Sequence, residues 1–400
     1  MKHRTGSLVA AVAASAVAAV LVGGAVAYRQ VPSASTSAAV PLPHLDTAIP
    51  QLSKTPSGTP STPLPVLPAT PKLVPPTIAL SPPTPAWTGP VKVPVVLAKL
   101  SKGRAPQLPY LVDREVRGGD GWARKIPGTD TIFDIVRMGD EVLATLSGTG
   151  DRLVRVGPNG RTKYTEGITS LVGGEFDNVA YAAMPPDSRG GVVYFERAGS
   201  VWKVQAPATA QGLQVLGVQN ENKVFYRWQD SPGSHWKLFE WVPGSTSESA
   251  PVQVKSVLSA DYVSADGTVA GSISDSAPAE GARTCSTVTQ LATGKRLWRT
   301  CDSWVQGFTP DHSVTIGTGG RGDDGTATSI VAQETATGKV IREWTGEFET
   351  VVAEDDQHLL IVAGHTVKNT LRSIIRCDIG TGSCELALDL AHNYLKLSGD

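Results

Sequence analysis

The chain has 400 residues, a formal charge of −1 and only 18% charged residues. Lys and Arg are scattered rather than gathered into a stripe, so a nucleic-acid partner is excluded. Gly (41) and Pro (29) are abundant, which suits a turn-rich β protein joined to a Pro-rich segment.

Lys2, His3 and Arg4 precede an uncharged run of 20 residues, Leu8 to Ala27. As a helix this run is about 30 Å long, enough to cross a bilayer core. The basic flank stays in the cytoplasm, so the remainder of the chain is exported. Residues 1–30 therefore read as a transmembrane signal-anchor, with the C-terminal domain outside the cell membrane. The alternative is a cleaved signal peptide and a secreted product, because Ala25-Val26-Ala27 fits a cleavage site. The length of the run and the interfacial pair Tyr28-Arg29 favour the anchor.

From Val31 to Pro94, 17 of 64 residues are Pro. Proline fixes φ and removes a hydrogen-bond donor, so neither helix nor central strand is expected. Residues 31–98 read as a disordered Pro/Ser/Thr-rich linker, semi-extended at about 3.1 Å per residue. Such a linker holds a domain on the order of 100–200 Å from the membrane.

Residues 99–400 read as one all-β domain. Pro109-Tyr110-Leu111-Val112 and Trp122 to Ile126 flank Gly118-Gly119-Asp120-Gly121 like an outer hairpin with no inner strands before it. Met138-Gly139-Asp140, Pro186-Asp187-Ser188 and Gln219-Asn220-Glu221 mark turns of one type. Asn159-Gly160 and Pro243-Gly244 mark turns of another, and their spacing calls for a further one near Ala206 to Ala210. The beat is clearest from Asp261 to Cys384. There Asp266, Asp311 and Asp355 stand 45 and 44 residues apart, and Gly294, Gly338 and Gly382 stand 44 apart. Two markers with one period near 44 residues, and only strand-like text between them, predict propeller blades. Tyr394 to Leu397 is an inner strand with no outer hairpin after it. Joined to the N-terminal hairpin, it makes a composite closing blade. The expected fold is thus a β-propeller of seven four-stranded blades, with six as the alternative.

The Ser-x-Asp-Gly turn at Ser264 and the aliphatic-x-x-Thr-Gly-Lys hairpins, Gln290 to Lys295 and Gln333 to Lys339, resemble WD40-like, TolB-like and quinoprotein-like bacterial propellers. With the exported N-terminus, the whole resembles a surface protein of the actinobacterial type. No Trp-Asp dipeptide recurs with a Gly-His partner, and no tryptophan-docking motif repeats. The resemblance implies a fold and leaves the ligand open.

Cys285 and Cys301 lie symmetrically about Thr293, at the ends of one predicted hairpin. Cys377 and Cys384 flank Gly380-Thr381-Gly382. Local pairs across turns in an exported chain predict two disulfides. Neither pair has metal-ligand spacing, and no metal or cofactor is expected.

No H-E-x-x-H, G-x-S-x-G, G-x-G-x-x-G after a strand, or P-loop is present. His312 and His358 occupy matching positions in or beside blade turns, and Trp228 and Trp236 flank the polar loop Gln229 to His235. These four are the candidate binding residues. Against that stands the plainer reading, in which the histidines and the aspartates Asp266, Asp311, Asp355 and Asp356 are ordinary turn polars and the tryptophans pack blades. The Arg321-Gly322-Asp323 tripeptide is too short to carry a role.

The function read from this is a monomeric, non-catalytic, membrane-tethered propeller. It binds a cell-envelope protein, peptide or glycan through its loop face. The alternative is an extracytoplasmic enzyme, a glycan lyase or hydrolase or a quinone-dependent dehydrogenase, working in the central channel. Three or more convergent charged groups at the channel mouth favour the enzyme, and small apolar residues there count against it.

Overall fold

A computed structural model describes residues 87–399, apart from 149–150, 175–176, 186–189, 220–221, 245–249, 274–283, 322–325, 365–370 and 393. The Leu8–Ala27 run, most of the Pro-rich stretch, Asp187 and Gly322-Asp323 lie outside the described residues. Among the described residues no helix is long and apolar enough to cross a membrane.

The described chain is built almost wholly of antiparallel strands, preceded by β1 (Lys92–Pro94). Strands β2 (Tyr110–Val112), β3 (Glu115–Arg117) and β4 (Ala123–Lys125) form the first group. The second group is β5 (Thr131–Met138), β6 (Glu141–Ser147), β7 (Arg152–Val156) and β8 (Thr162–Glu166). The third is β9 (Ile168–Gly173), β10 (Asn178–Ala183), β11 (Val192–Arg197) and β12 (Ser200–Gln205). The fourth is β13 (Gln211–Gln219), β14 (Lys223–Gln229), β15 (Lys237–Trp241) and β16 (Val252–Gln253). The fifth is β17 (Tyr262–Val263), β18 (Val269–Ile273), β19 (Ser286–Gln290) and β20 (Arg296–Thr300). The sixth opens with β21 (Ser303–Phe308), β22 (Val314–Arg321) and β23 (Ala327–Glu334). Its fourth strand is the first part of β24 (Val340–Ala353), whose second part begins a seventh group with β25 (His358–Ala363), β26 (Arg372–Asp378) and β27 (Cys384–His392). The final strand β28 (Leu395–Leu397) returns to pair with β2, Tyr110 opposite Leu397. Groups one to five are separate four-stranded sheets, and groups six and seven are one sheet because β24 runs through both. Phe348 of β24 marks the crossover, pairing with Ala327 on one side and Ala363 on the other.

Side chains alternate along each strand, so each group buries both faces against its neighbours. The buried apolar residues accordingly fall into clusters between consecutive groups. Leu111, Ile126 and Ile132 join the first group to the second, and Val136, Leu171 and Tyr181 join the second to the third. Phe195, Leu213 and Trp241 pack the third on the fourth, and Phe225 and Ala270 the fourth on the fifth. Val288, Trp298 and Val305 pack the fifth on the sixth. Trp344, Phe348 and Ile361 fill the next junction, and Val112, Leu360 and Leu397 the one after. The innermost strands abut in the order β28, β5, β9, β13, β17, β21, the second part of β24, and β28 again. The architecture is all-β, with several four-stranded antiparallel sheets, and is consistent with a β-propeller.

The Thr-Gly hairpins fall between third and fourth strands, where Gly294, Gly338 and Gly382 adopt φ of 70°, 74° and 82°. Both disulfides form, Cys285–Cys301 and Cys377–Cys384. Three expectations need correction, besides Pro186-Asp187-Ser188, which falls between β10 and β11, the second and third strands of its group, and so is not of the Met138-Gly139-Asp140 type. The closing group takes three strands from the N-terminal side, because Asp113 accepts φ of 53° and lets Asp113-Arg114 turn tightly between β2 and β3. The turn expected at Ala206 to Ala210 is a link between groups. The hairpin lies at Ala198-Gly199, both left-handed (φ 48° and 78°), with alanine disguising the signal.

The third concerns the linker expected through residue 98. Its last part is built onto the domain, where β1 pairs in parallel with the outer edge of β24, Lys92 opposite Glu343. Val93, Val95 and Leu97 pack on the core beneath. Proline is compatible with this place because an edge strand needs hydrogen bonds on one side only.

Candidate functional site: a turn rim and a central cavity

Antiparallel alternation sends the turns between first and second strands to one face and the loops between second and third strands to the other. The two faces differ in chemistry.

On the first face, turn carboxylates cap their own backbone, as short polar turns do. Asp266 accepts from the Thr268 amide at 3.1 Å and from Ser264 Oγ at 2.6 Å. Asp311 accepts from the Ser313 amide at 3.0 Å and from Thr309 Oγ1 at 2.7 Å. Asp355 accepts from the Gln357 and His358 amides, both at 2.8 Å. Burial pushes each of these carboxyls up, but the hydroxyl and amide donors and the adjacent histidine outweigh it, so all three titrate below the ordinary 3.8.

The turns also meet one another. His312 Nδ1 stands 3.2 Å from Asp266 Oδ2 of the preceding group. The Asp311 amide donates to Asp356 Oδ1 of the following group at 2.8 Å. His358 Nδ1 meets Asp355 at 2.9 Å, and its Nε2 lies 3.7 Å from Asp378. Glu354 accepts from the Gln107 amide at 2.6 Å, and Arg104 lies 3.7 Å from both Glu354 and Asp355. The fifth, sixth and seventh groups are thereby tied to the entry of the first in one polar rim. His312 and Asp355 keep side-chain exposures of 41% and 43% within it, so both reach solvent.

On the other face, a cavity of about 680 Å³ opens between the second to fifth groups. Phe133, Asp134, Asp151, Thr169, Arg227 and Asp261 are among its walls. Arg227 is held on every side. It pairs with Asp261, donates to Gln214 Oε1 at 2.9 Å and to the Ala260 carbonyl at 2.7 Å, and stacks 4.3 Å over Trp236. Asp261 also accepts from the Ile273 amide at 2.6 Å. A smaller cavity of about 240 Å³ on the rim side is lined chiefly by apolar groups such as Leu108, Phe308 and Val351. Four charged groups, Asp134, Asp151, Arg227 and Asp261, thus line one mouth, the number that favours the enzyme alternative, and of these Arg227 and Asp261 neutralise each other.

The four candidate binding residues do not converge. His312 and His358 sit on the rim, whereas Trp228 and Trp236 flank a loop on the opposite face. Trp228 is 6% exposed and stacks on Phe239 at 5.4 Å, so it packs the core. Trp236 is half-buried against Arg227, which itself lines the cavity. Sequence reading missed the wall itself, since Phe133, Asp134 and Asp261 share no spacing. What they share is structural: each lies in or beside the first strand of its group, β5 or β17.

No family model matches the chain, and no curated protein matches it. Among solved structures it is similar to one from a study of two prolyl endopeptidases, at 10% identity and TM-score 0.48, covering 74% of this chain and 50% of that one. It is similar to the β-propeller domain of the Trilobed protease from Pyrococcus furiosus, at 9% identity and TM-score 0.46, covering 66% and 86%. It is also similar to TolB from Acinetobacter baumannii, at 10% identity and TM-score 0.39, covering 60% and 66%. The chain spans about half the length of the endopeptidase structure.

Proposed function

We propose that the domain is a seven-bladed propeller closed by a composite blade. On this reading it is a non-catalytic binding module, held outside the cell membrane by its N-terminal helix and Pro-rich tether. It takes a cell-envelope protein, peptide or glycan on its turn face. The observation that carries the reading is the rim: His312 and Asp266 of successive turns stand 3.2 Å apart, and hydrogen bonds join Asp311 to Asp356 and Glu354 to Gln107. A face already ordered before contact loses little conformational entropy on binding, which favours recognition. The Arg227–Asp261 pair supports the same reading, because its groups are committed to each other and to the main chain.

The test is retention of envelope components by the immobilised full-length chain. His312→Ala combined with Asp356→Ala should reduce retention at least tenfold, and Thr169→Trp, which fills the cavity, should leave it unchanged. The opposite pattern would move the site to the cavity and end this reading. A second reading, glycan hydrolysis or lysis, rests on Asp134 and Asp151 lining one cavity. It requires cleavage of a cell-wall polysaccharide that Asp134→Asn abolishes.

A further inference from the structure

The stretch Trp87–Gln107 carries no blade strand, yet it meets two buried guanidinium groups. Arg342 is 1% exposed, and its hydrogen bonds go to main-chain carbonyls. Nε donates to Ile379 at 3.2 Å, Nη1 to Gly89 at 3.3 Å and Pro90 at 2.6 Å, and Nη2 to Thr88 and Gly380. Three of these five acceptors belong to the incoming segment. Around this lock the Thr88 amide donates to Gly380 at 3.0 Å, the Glu343 amide to Val91 at 2.8 Å, and the Val95 amide to Thr345 at 2.9 Å. Further along, Gly103 and Ser101 exchange backbone bonds with Leu386 at 2.9 and 2.8 Å. Arg376, 3% exposed, then donates to the carbonyls of Arg104 at 2.8 Å and Ala105 at 2.9 Å. The segment is therefore fastened to the outer edges of the sixth and seventh groups before it reaches β2.

That route has a mechanical consequence. The pairing of β2 with β28 is three residues long, and it joins the two ends of the domain. Tension on the N-terminal flank, delivered straight to Tyr110, would peel this short pairing one bond at a time. As built, the tension ends at Arg342, and β1 and Arg376 stand between it and β2. We propose that Trp87–Gln107 is a clasp that takes up tether tension, with Arg342 as its first lock, and so keeps that tension off the β28–β2 closure. The use of such a clasp rests on the tethered reading above, but its existence does not.

Single-molecule pulling on the full-length chain tests it, with one handle at the N-terminus and the other on a thiol introduced by Lys163→Cys on exposed β8. The native cysteines are all in disulfides and do not compete. Extension should occur in two steps. The first releases the clasp, about 70 Å for 21 residues at full stretch, and the second opens the ring. Arg342→Gln should at least halve the force of the first step and leave the second in place. Gly89→Ala should do the same without touching a charge, because Gly89 sits at φ 82° and a Cβ there would lie 2.9 Å from the Thr381 carbonyl. A single-step opening of the unaltered chain overturns the proposal, as does a first-step force that neither variant changes. No membrane is present in this measurement. The tether reading fails separately, if the chain is recovered from cells cleaved after Ala27 and released.

Discussion

Glu354 and Arg376 are 1% and 3% exposed, and each is the other's principal counterion. Removing one partner of a buried pair strands the other charge, which costs about 3–5 kcal/mol. Glu354→Gln should therefore lower the unfolding free energy from urea titration by about that much, whereas Glu115→Gln, in the exposed pair with Arg117, should change it by less than about 0.5 kcal/mol. The rim carboxylates give a pH dependence of known sign. Asp266, Asp311 and Asp355 titrate below their ordinary value when folded. Their contribution is thus complete above the unfolded value of 3.8 and is lost as pH falls through the folded values. Chemical-denaturation midpoints should be flat from about pH 5 to 7 and fall below about pH 4, and Asp355→Asn should weaken that acid limb. The cysteines and turn aspartates were legible in the sequence because chemistry and spacing mark them. Arg342 and Arg376 were not, since a buried arginine bonded to carbonyls reads in a strand like a surface one.

Among the strands, hairpins advertised by glycine were readable and those made by other left-handed residues were not. Gly338 is the readable kind. It sits at φ 74°, and a Cβ there would lie 2.7 Å from the Trp298 ring, so Gly338→Ala strains both backbone and packing. It should destabilise the chain by about 1–3 kcal/mol, measured by thermal unfolding. Asp113 makes its turn without glycine, and the Ala198-Gly199 turn opens on a left-handed alanine, which hid a strand of the closing group and displaced one predicted hairpin. The disulfides differ in reach. Cys285–Cys301 spans 16 residues and Cys377–Cys384 spans 7. Chain-entropy reasoning gives about 3 and about 2 kcal/mol. Paired serine substitutions should lower stability in that order, and peptide mapping without reductant should recover both crosslinks. The strand β1 was unreadable for another reason. A Pro-rich stretch that cannot enter the middle of a sheet can still lie along its edge.

For the whole molecule, the 44-residue period revealed repeated strand groups, and the unmatched strand at Tyr394 to Leu397 revealed how the ends meet. The period could not reveal what faces the axis. Cavity walls are assembled from one or two residues of each inner strand, and those residues need not resemble one another. The closed ring is the claim on which the rim, the cavity and the clasp all depend. Amide hydrogen exchange on the full-length chain tests it directly at Leu395–Leu397. A three-residue strand is not stable alone. If β28 is seated on β2, the amides of Asp113 and Ser398, which bond across the pairing, and those of Leu111 and Lys396 between them exchange slowly and together, near the rate of global unfolding. If Lys396 and Ser398 exchange at the rate of an unstructured peptide while the β25 and β26 amides stay protected, the ring is open and the closure is contradicted.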